Sequence, residues 1–278
     1  MKILITGAKG MLGKDISEIL SNHDLILFDR EELDLTDFVK TEEEITKLHP
    51  ELIINCAAFT DVDKAEENSE IANLINGEVA GNLAKICKKL SIILLQISTE
   101  YVFDGKDVNG YSEDAITSAI NEYGKSKALG EKLIQENCEM YYIVRSSWLY
   151  GHNLQRGKER GINFVDRIIE LAGERDELNM VNDQFSKPTF TKDLANGIKT
   201  LIEEKYPYGI YHMTNEDATV PYEFANEIFK IKGINIKTSP ISYSAYPSKV
   251  NRPINAILVN TKFPKLRSWH EAIKEYLE

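Results

Sequence analysis

The chain has 278 residues, 42% of them hydrophobic and 28% charged, with a net charge of -11. That length suits one large domain, or a domain with a smaller appendage, rather than a tandem array, and it can bury a substantial core. The acidic balance excludes a nucleic-acid backbone as the main partner while leaving room for a local basic cleft that takes a phosphorylated small molecule; no apolar run approaches the roughly 20 residues that cross a bilayer.

The opening run, "MKILITGAKG", passes from one short strand into glycines without the apolar segment and cleavage site of a signal peptide, so the cytoplasm is the expected location. Strand-length apolar runs then alternate with amphipathic stretches: "MLGKDISEIL", "LILFD", "FVKTEEEITKLH", "ELIINCAA", a helix through "IANLINGEVAGNLAKICKKL", "SIILLQIS", the helix "NEYGKSKALGEKLI" and "YYIVRSSWLYG". Repeated strand and helix with near-continuous Val/Ile/Leu strands predicts parallel pairing with helices on both faces, a doubly wound Rossmann-type α/β sheet over residues 1–150. From Gly151 the pattern changes. A polar loop, "HNLQRGKERG", precedes the helices "NFVDRIIELAGER" and "TKDLANGIKTLIEEK", the short run "GIYHMT", the helix "PYEFANEIFKI", an irregular "SYSAYPSKVNRP" and a last helix near "SWHEAIKEYL". Pro188, Pro221, Pro247 and Pro253 punctuate these pieces. Residues 151–278 therefore read as a smaller, mostly helical substrate lobe, parts of which return to the sheet.

Gly7, Gly10 and Gly13 stand three residues apart between the first strand and first helix, the context in which glycines let a main chain approach a pyrophosphate and a helix N-terminus offers it free N–H groups. Met11 and Leu12 belong to the same cradle, and Ala57, Ala58 and Thr60 are assigned to the cofactor from the end of the third strand. After the second strand, Asp29 is suited to a ribose and Arg30 to a 2'-phosphate, so the residues do not choose between NADH and NADPH, with NADPH slightly favoured. Asp34 and Leu35 suit an adenine edge and face.

The fourth strand runs into "ISTEYVFDG", which sets Ser98, Thr99, Glu100 and Tyr101 at its C-terminal end, where open parallel sheets bind ligands. Tyr123 and Lys127 lie one turn apart on the helix that follows. Lys127 is expected to lower the Tyr123 pKa and hold a cofactor ribose, and Thr99 to orient the substrate oxygen.

This combination resembles the extended short-chain dehydrogenase/reductases. More closely, "AAFTDVDKAE", "STEYVFDG", "YGKSKALGE", "RSSWLYG", "NDQFSKPTF" and "RPINAIL" resemble, in order, the signatures of the dTDP-4-dehydrorhamnose reductase family. The resemblance implies reduction of the 4-keto group of dTDP-4-dehydro-L-rhamnose by NAD(P)H, with Thr99, Tyr123 and Lys127 as the catalytic set. Val62, Thr99, Glu100, Tyr101 and Trp148 then line the sugar pocket, and Arg252 is either a nucleotide contact or a structural salt bridge. Glu100 stands where the family usually has Asp, and Ala256 where it commonly has Ser, which leaves the sugar open. Another keto-sugar nucleotide reductase or epimerase, and a noncatalytic dinucleotide-binding regulatory subunit, are the alternatives. The partner expected is a small nucleotide sugar, with a homodimer as the assembly allowed for.

The remaining clusters have plainer readings. "DKAEENSE" is a solvated helix start, and the five histidines lack ligand spacing, so no metal site is expected. Cys56, Cys87 and Cys138 are expected as free, buried thiols. His152 and Asn153 fall in a loop placed to move over a substrate.

Overall fold

The structure, a computed structural model, describes residues 1–157, 160–248 and 250–278; residues 158 and 159 of the polar loop and 249 of the irregular stretch lie outside that description. β1 (Lys2–Thr6) leads through the glycine turn into α1 (Met11–Ile19), followed by β2 (Asp24–Phe28), α2 (Phe38–Leu48) and β3 (Leu52–Asn55). Short helices α3 (Val62–Glu67) and α4 (Ser69–Asn73), a π-helical turn at Leu74–Glu78 and α5 (Val79–Leu90) connect to β4 (Ile93–Thr99). A 3-10 turn at Glu100–Val102 and a long loop precede α6 (Glu122–Asn137) and β5 (Tyr141–Ser146). Then come β6 (Leu149–Tyr150), α7 (Phe164–Glu174), β7 (Glu177–Val181), β8 (Thr189–Phe190), α8 (Thr191–Glu203), β9 (Gly209–His212), α9 (Pro221–Lys232), β10 (Lys237–Ile241) and α10 (Trp269–Leu277).

The main sheet has the order β2-β1-β3-β4-β5-β9, and all its pairings are parallel. Side chains alternate between faces along a strand, and both faces are covered. Ile3, Ile5 and Ile54 join Ile16 of α1 and Leu194 and Ile198 of α8 in one core, whereas Leu4, Ile53 and Leu94 join Ile45 of α2 and Leu83 of α5 in the other. This is the doubly wound α/β fold. The chain order reverses direction across the sheet between β1 and β3, which opens a crevice at the strands' C-terminal ends.

The elements after Gly151 divide between two bodies. α8 and β9 complete the sheet domain, β9 pairing with β5. α7, α9 and α10 enclose a separate core of Tyr150, Val165, Ile168, Phe190, Phe224, Ile228 and Trp269. A parallel β7–β10 pair borders it, an element not expected from a sequence that carries Pro240 in the middle of β10. The helix expected through Ile71–Leu90 is interrupted by the π turn. There Asn76 accepts from Phe59 N at 2.9 Å and donates to Phe59 O at 3.0 Å and Ser126 Oγ at 2.9 Å, so one side chain ties three segments together. π turns of this kind concentrate at functional sites.

The segment from Asn251 to Thr261 runs back along the loop that connects β4 to α6. Asn255 N donates to Gly105 O (3.1 Å), Tyr111 N to Ile257 O (2.8 Å) and Val259 N to Tyr111 O (2.8 Å), while Thr261 N and Oγ1 donate to the buried Glu113. Leu258 is buried against Val102, Phe103 and Tyr111. No helix among the described residues is long and apolar enough to cross a membrane.

Candidate active site

The cradle begins where β1 ends. Gly7 has φ +66°, a conformation that side chains resist, and a Cβ on it would lie 2.7 Å from Ala57 N. A Cβ on Gly13 would lie 2.3 Å from Gly7 O, so turn and helix are packed backbone to backbone. Gly10 is the N-cap of α1 and offers no side chain to it, which leaves the first-turn N–H groups of Met11, Leu12 and Gly13 without a side-chain cap. Unfilled N–H groups at a helix start, beside main chain that no Cβ obstructs, fit the pyrophosphate of a dinucleotide.

Asp29, just past β2, accepts from Lys9 N (3.1 Å) and Arg30 N (2.8 Å), so its carboxylate borders the glycine turn. Arg30 is 85% exposed, its Nε 3.8 Å from Asp34. Asp34 closes its own turn by accepting from Thr36 N and Oγ1, and Leu35 faces the core, packed in the cluster that includes Ile45. Ala57, Ala58 and Thr60 follow β3 on the opposite side of the crevice, and Ala57 N donates to Asn55 Oδ1 (3.2 Å). That amide belongs to a buried chain from Thr6 through Asn55 to Gln96 across β1, β3 and β4, with links of 2.6 and 2.7 Å.

At the end of β4, Thr99 is buried, and its Oγ1 donates to Glu100 Oε2 (3.1 Å) and accepts from Tyr101 N (3.3 Å). α6 is brought against this turn by Gly124, where any Cβ would lie 2.1 Å from Tyr101 O. The close approach sets Tyr123 beside the strand end, its ring edge-on to Tyr101 with centroids 5.6 Å apart. Asn121 caps α6 by accepting from Gly124 N (2.8 Å) and donates to Asn251 O (2.9 Å), which fixes the helix start to the C-terminal segment. One turn beyond Tyr123, Lys127 is buried and its Nζ donates to Ile97 O (2.7 Å).

The electrostatics differ from the expectation in one respect. Burial pushes the Tyr123 phenol above its ordinary 10.0, and the Glu100 carboxyl adds to the rise against a hydrogen bond from Thr99. Lys127, whose Nζ is turned to Ile97 O, is not among the groups that shift the phenol. Burial also lowers Lys127 from 10.5 to about 8, opposed by Glu131 one turn further on. Glu131 is itself buried. It takes a bidentate pair from Arg145 (Nε 2.9 Å, Nη2 2.6 Å) and a hydrogen bond from Ser98 Oγ (2.5 Å). Arg145 also donates to Glu113 O (3.3 Å), lies 5.0 Å from the Phe103 ring centroid and sits 3.2 Å from His212 Nε2. Burial, aided by Arg145, keeps that imidazole neutral down to about pH 3; its Nδ1–H donates to Val259 O (3.1 Å), which leaves Nε2 free to accept from Arg145.

Glu100 is pushed up from 4.5 to about 8 by burial. A carboxyl raised in this way contributes stability that is complete below its unfolded pKa and is lost as pH rises through the folded one. Glu100→Gln is therefore expected to match the parent in stability at pH 4 and to gain steadily on it between pH 4.5 and 8. The difference reaches a few kcal/mol at pH 9. Urea unfolding at pH 4, 6 and 9 checks this; a difference that does not grow with pH would place the carboxyl in a better-solvated setting.

Val62 opens α3, which Asp61 caps through Lys64 N. Trp148 lies between β5 and β6 with φ +40°, strained for a bulky residue and of the kind found at ligand sites. One nitrogen of Arg252, Nη2, donates to both carboxylate oxygens of Asp63 at 2.9 Å, and its Nε is buried without a partner. Among the described residues no group of three or more His, Cys, Asp or Glu is placed to hold a metal. All three cysteines are free, Cys87 and Cys138 buried and Cys56 partly exposed.

The family model for the RmlD substrate binding domain matches residues 1–278. The chain belongs to the RmlD family. A dTDP-4-dehydrorhamnose reductase from Streptomyces griseus is 34% identical over 98% of this chain and 91% of its own length. A dTDP-4-keto-6-deoxy-D-glucose reductase from Streptomyces niveus is 36% identical over 83% of this chain and 78% of its own. The crystal structure of dTDP-4-dehydrorhamnose reductase from Bacillus anthracis in complex with NADP superposes with TM-score 0.93 and 35% identity, covering 99% of this chain and 98% of that one.

Within this RmlD-family chain, Asn121, Ser126, Glu131 and Arg145 support the site and were not singled out from the sequence. Two of them leave a local trace. Asn121 is a capping residue just before the helix, and Glu131 continues the four-residue spacing of Tyr123 and Lys127. Arg145 in a β-strand has no such trace, since its partners come from three other elements.

Proposed function

We propose that this chain reduces the 4-keto group of dTDP-4-dehydro-L-rhamnose to give dTDP-L-rhamnose, with NADPH or NADH as the reductant. The reading is supported by Thr99 at the end of β4 in hydrogen-bond reach of Tyr123, with Lys127 one turn further along α6 and the glycine cradle at the same C-terminal edge of the sheet. When bound, the nicotinamide supplies the hydride. Tyr123, whose phenol burial keeps protonated, gives its proton to the oxygen developing at C4; an alkoxide is far more basic than a phenolate, so a raised phenol pKa does not impede this transfer. Thr99 donates to the same oxygen and stabilises its growing charge. Lys127, cationic below about pH 8, lies on the same helix face and stabilises the phenolate left behind while holding the cofactor ribose. Val62, Glu100, Tyr101 and Trp148 border the sugar. Arg252, paired with Asp63, reaches a diphosphate through the guanidinium edge left unpartnered at Nε.

The Streptomyces niveus relative and the presence of Glu100 favour a second reading, a reductase of a different 4-keto-6-deoxysugar nucleotide. The proposed setting is the cytoplasm and the proposed assembly a homodimer. Loss of nicotinamide absorbance from NADPH and from NADH, with each keto-sugar nucleotide in turn, tests the assignment. Rapid oxidation dependent on dTDP-4-dehydro-L-rhamnose is expected. Turnover confined to dTDP-4-keto-6-deoxy-D-glucose would install the second reading, and binding of cofactor without turnover of any sugar would favour a regulatory subunit.

A further inference from the structure

Residues 151–157, after β6, reach back to α1 and to the ends of β2 and β3. A Cβ at Gly151 would come 3.3 Å from Met11 Cγ, at the start of α1. Asn153 Nδ2 donates to Asp15 Oδ1 (2.8 Å), further along the same helix. Arg156 reaches the end of β2, with Nη2 3.1 Å from Glu31 Oε1 and Nη1 3.6 Å from Asp29 Oδ1. Gly157 rests on Thr60, whose Oγ1 would be 2.1 Å from a Cβ there. The loop thus touches the three elements that border the cradle. Where it crosses, Thr60 Oγ1 and Gln155 Oε1 are buried without a hydrogen-bond partner, as expected of groups facing a ligand.

We propose that this loop straps the adenosine half of the cofactor and that Arg156 selects NADPH over NADH by pairing with the 2'-phosphate. The inference rests on the reading that Asp29 stands at the adenosine ribose. Asp29 alone repels a phosphate and favours a free 2'-hydroxyl, so acceptance of NADPH requires cations to offset it. Arg30 projects from one side, largely exposed. Arg156 supplies a second guanidinium from the strap, already in contact with Asp29. Its present partner, Glu31, is 56% exposed and also holds Lys9 Nζ at 3.1 Å. Such an exposed pair is weak, and a phosphate, nearly dianionic and able to take two parallel N–H bonds, displaces it. Glu31 is therefore the competitor of the 2'-phosphate for Arg156, while Lys9 is held more closely by Glu32 (2.5 Å).

Dissociation constants of NADPH and NADH for the full chain, read by nicotinamide fluorescence, test this. Arg156→Ala is expected to weaken NADPH roughly tenfold and NADH less than twofold. Glu31→Gln, which frees Arg156 from its nearer carboxylate and leaves Lys9 on Glu32, is expected to tighten NADPH about threefold and leave NADH unchanged. Equal weakening of both cofactors by Arg156→Ala, or no change in their ratio with either variant, would overturn the assignment of Arg156. Failure of the unaltered chain to bind either cofactor would instead overturn the dinucleotide reading beneath it.

Discussion

Replacing Tyr123 with Phe is expected to lower kcat for keto-sugar reduction by about 10²–10⁴ while leaving the NADPH dissociation constant within a factor of about two. The substitution removes one oxygen and keeps the ring, so the edge-on packing against Tyr101 and the close contact of Gly124 with the β4 turn persist. What is lost is the proton that the emerging alkoxide needs. Because burial holds the phenol in its protonated form, Tyr123 itself imposes no decline on the alkaline side. The decline at high pH follows Lys127, which loses its charge near pH 8. Steady-state rates with saturating sugar, set beside fluorescence titration of NADPH, decide the matter. A variant that keeps more than a tenth of kcat would mean that Thr99 or solvent delivers the proton.

The second large effect lies behind the site. Arg145→Met is expected to cost about 3–5 kcal/mol of folding stability, because it leaves the buried Glu131 carboxylate without its ion pair, with the Ser98 hydroxyl as donor and Lys127 one turn away. For a chain of this length each kcal/mol lowers Tm by about 2–4 °C. Removing both charges behaves differently: Arg145→Met combined with Glu131→Leu is expected to recover most of the loss, since desolvating an ion pair offsets much of its attraction. Urea midpoints for the single and double variants separate the two cases. If the double variant were as unstable as the single one, the contacts of Arg145 with Glu113, His212 and Phe103 would matter more than its charge pairing.

The parts of this protein that are legible in sequence are those set by local pattern. Alternating runs of apolar residues gave the parallel sheet, and the spacing of Gly7, Gly10 and Gly13 gave the turn into α1, because each depends only on neighbours along the chain. Tyr123 and Lys127 were visible for the same reason. Long-range contacts left little trace. Nothing in "KTSPI" signals a strand, since β10 exists only because β7 lies beside it. The direction of the Tyr123 shift was misjudged because a one-turn spacing reveals the nearby cation but not the depth of burial. The destination of the loop carrying Arg156 was equally hidden, as its anchors Asp15, Asp29 and Thr60 lie far earlier in the chain.

The run from Asn251 to Thr261 has a consequence for how the protein is made. By the time β9 has left the ribosome every strand of the main sheet is available, and the dinucleotide half can assemble. The loop after β4 still lacks its cover: Val102, Phe103 and Tyr111 wait for Leu258, Glu113 for Thr261, and the cap of the catalytic helix for Asn251. The cover of the β4 loop is thus supplied by residues 251–261, which are translated after every strand of the main sheet.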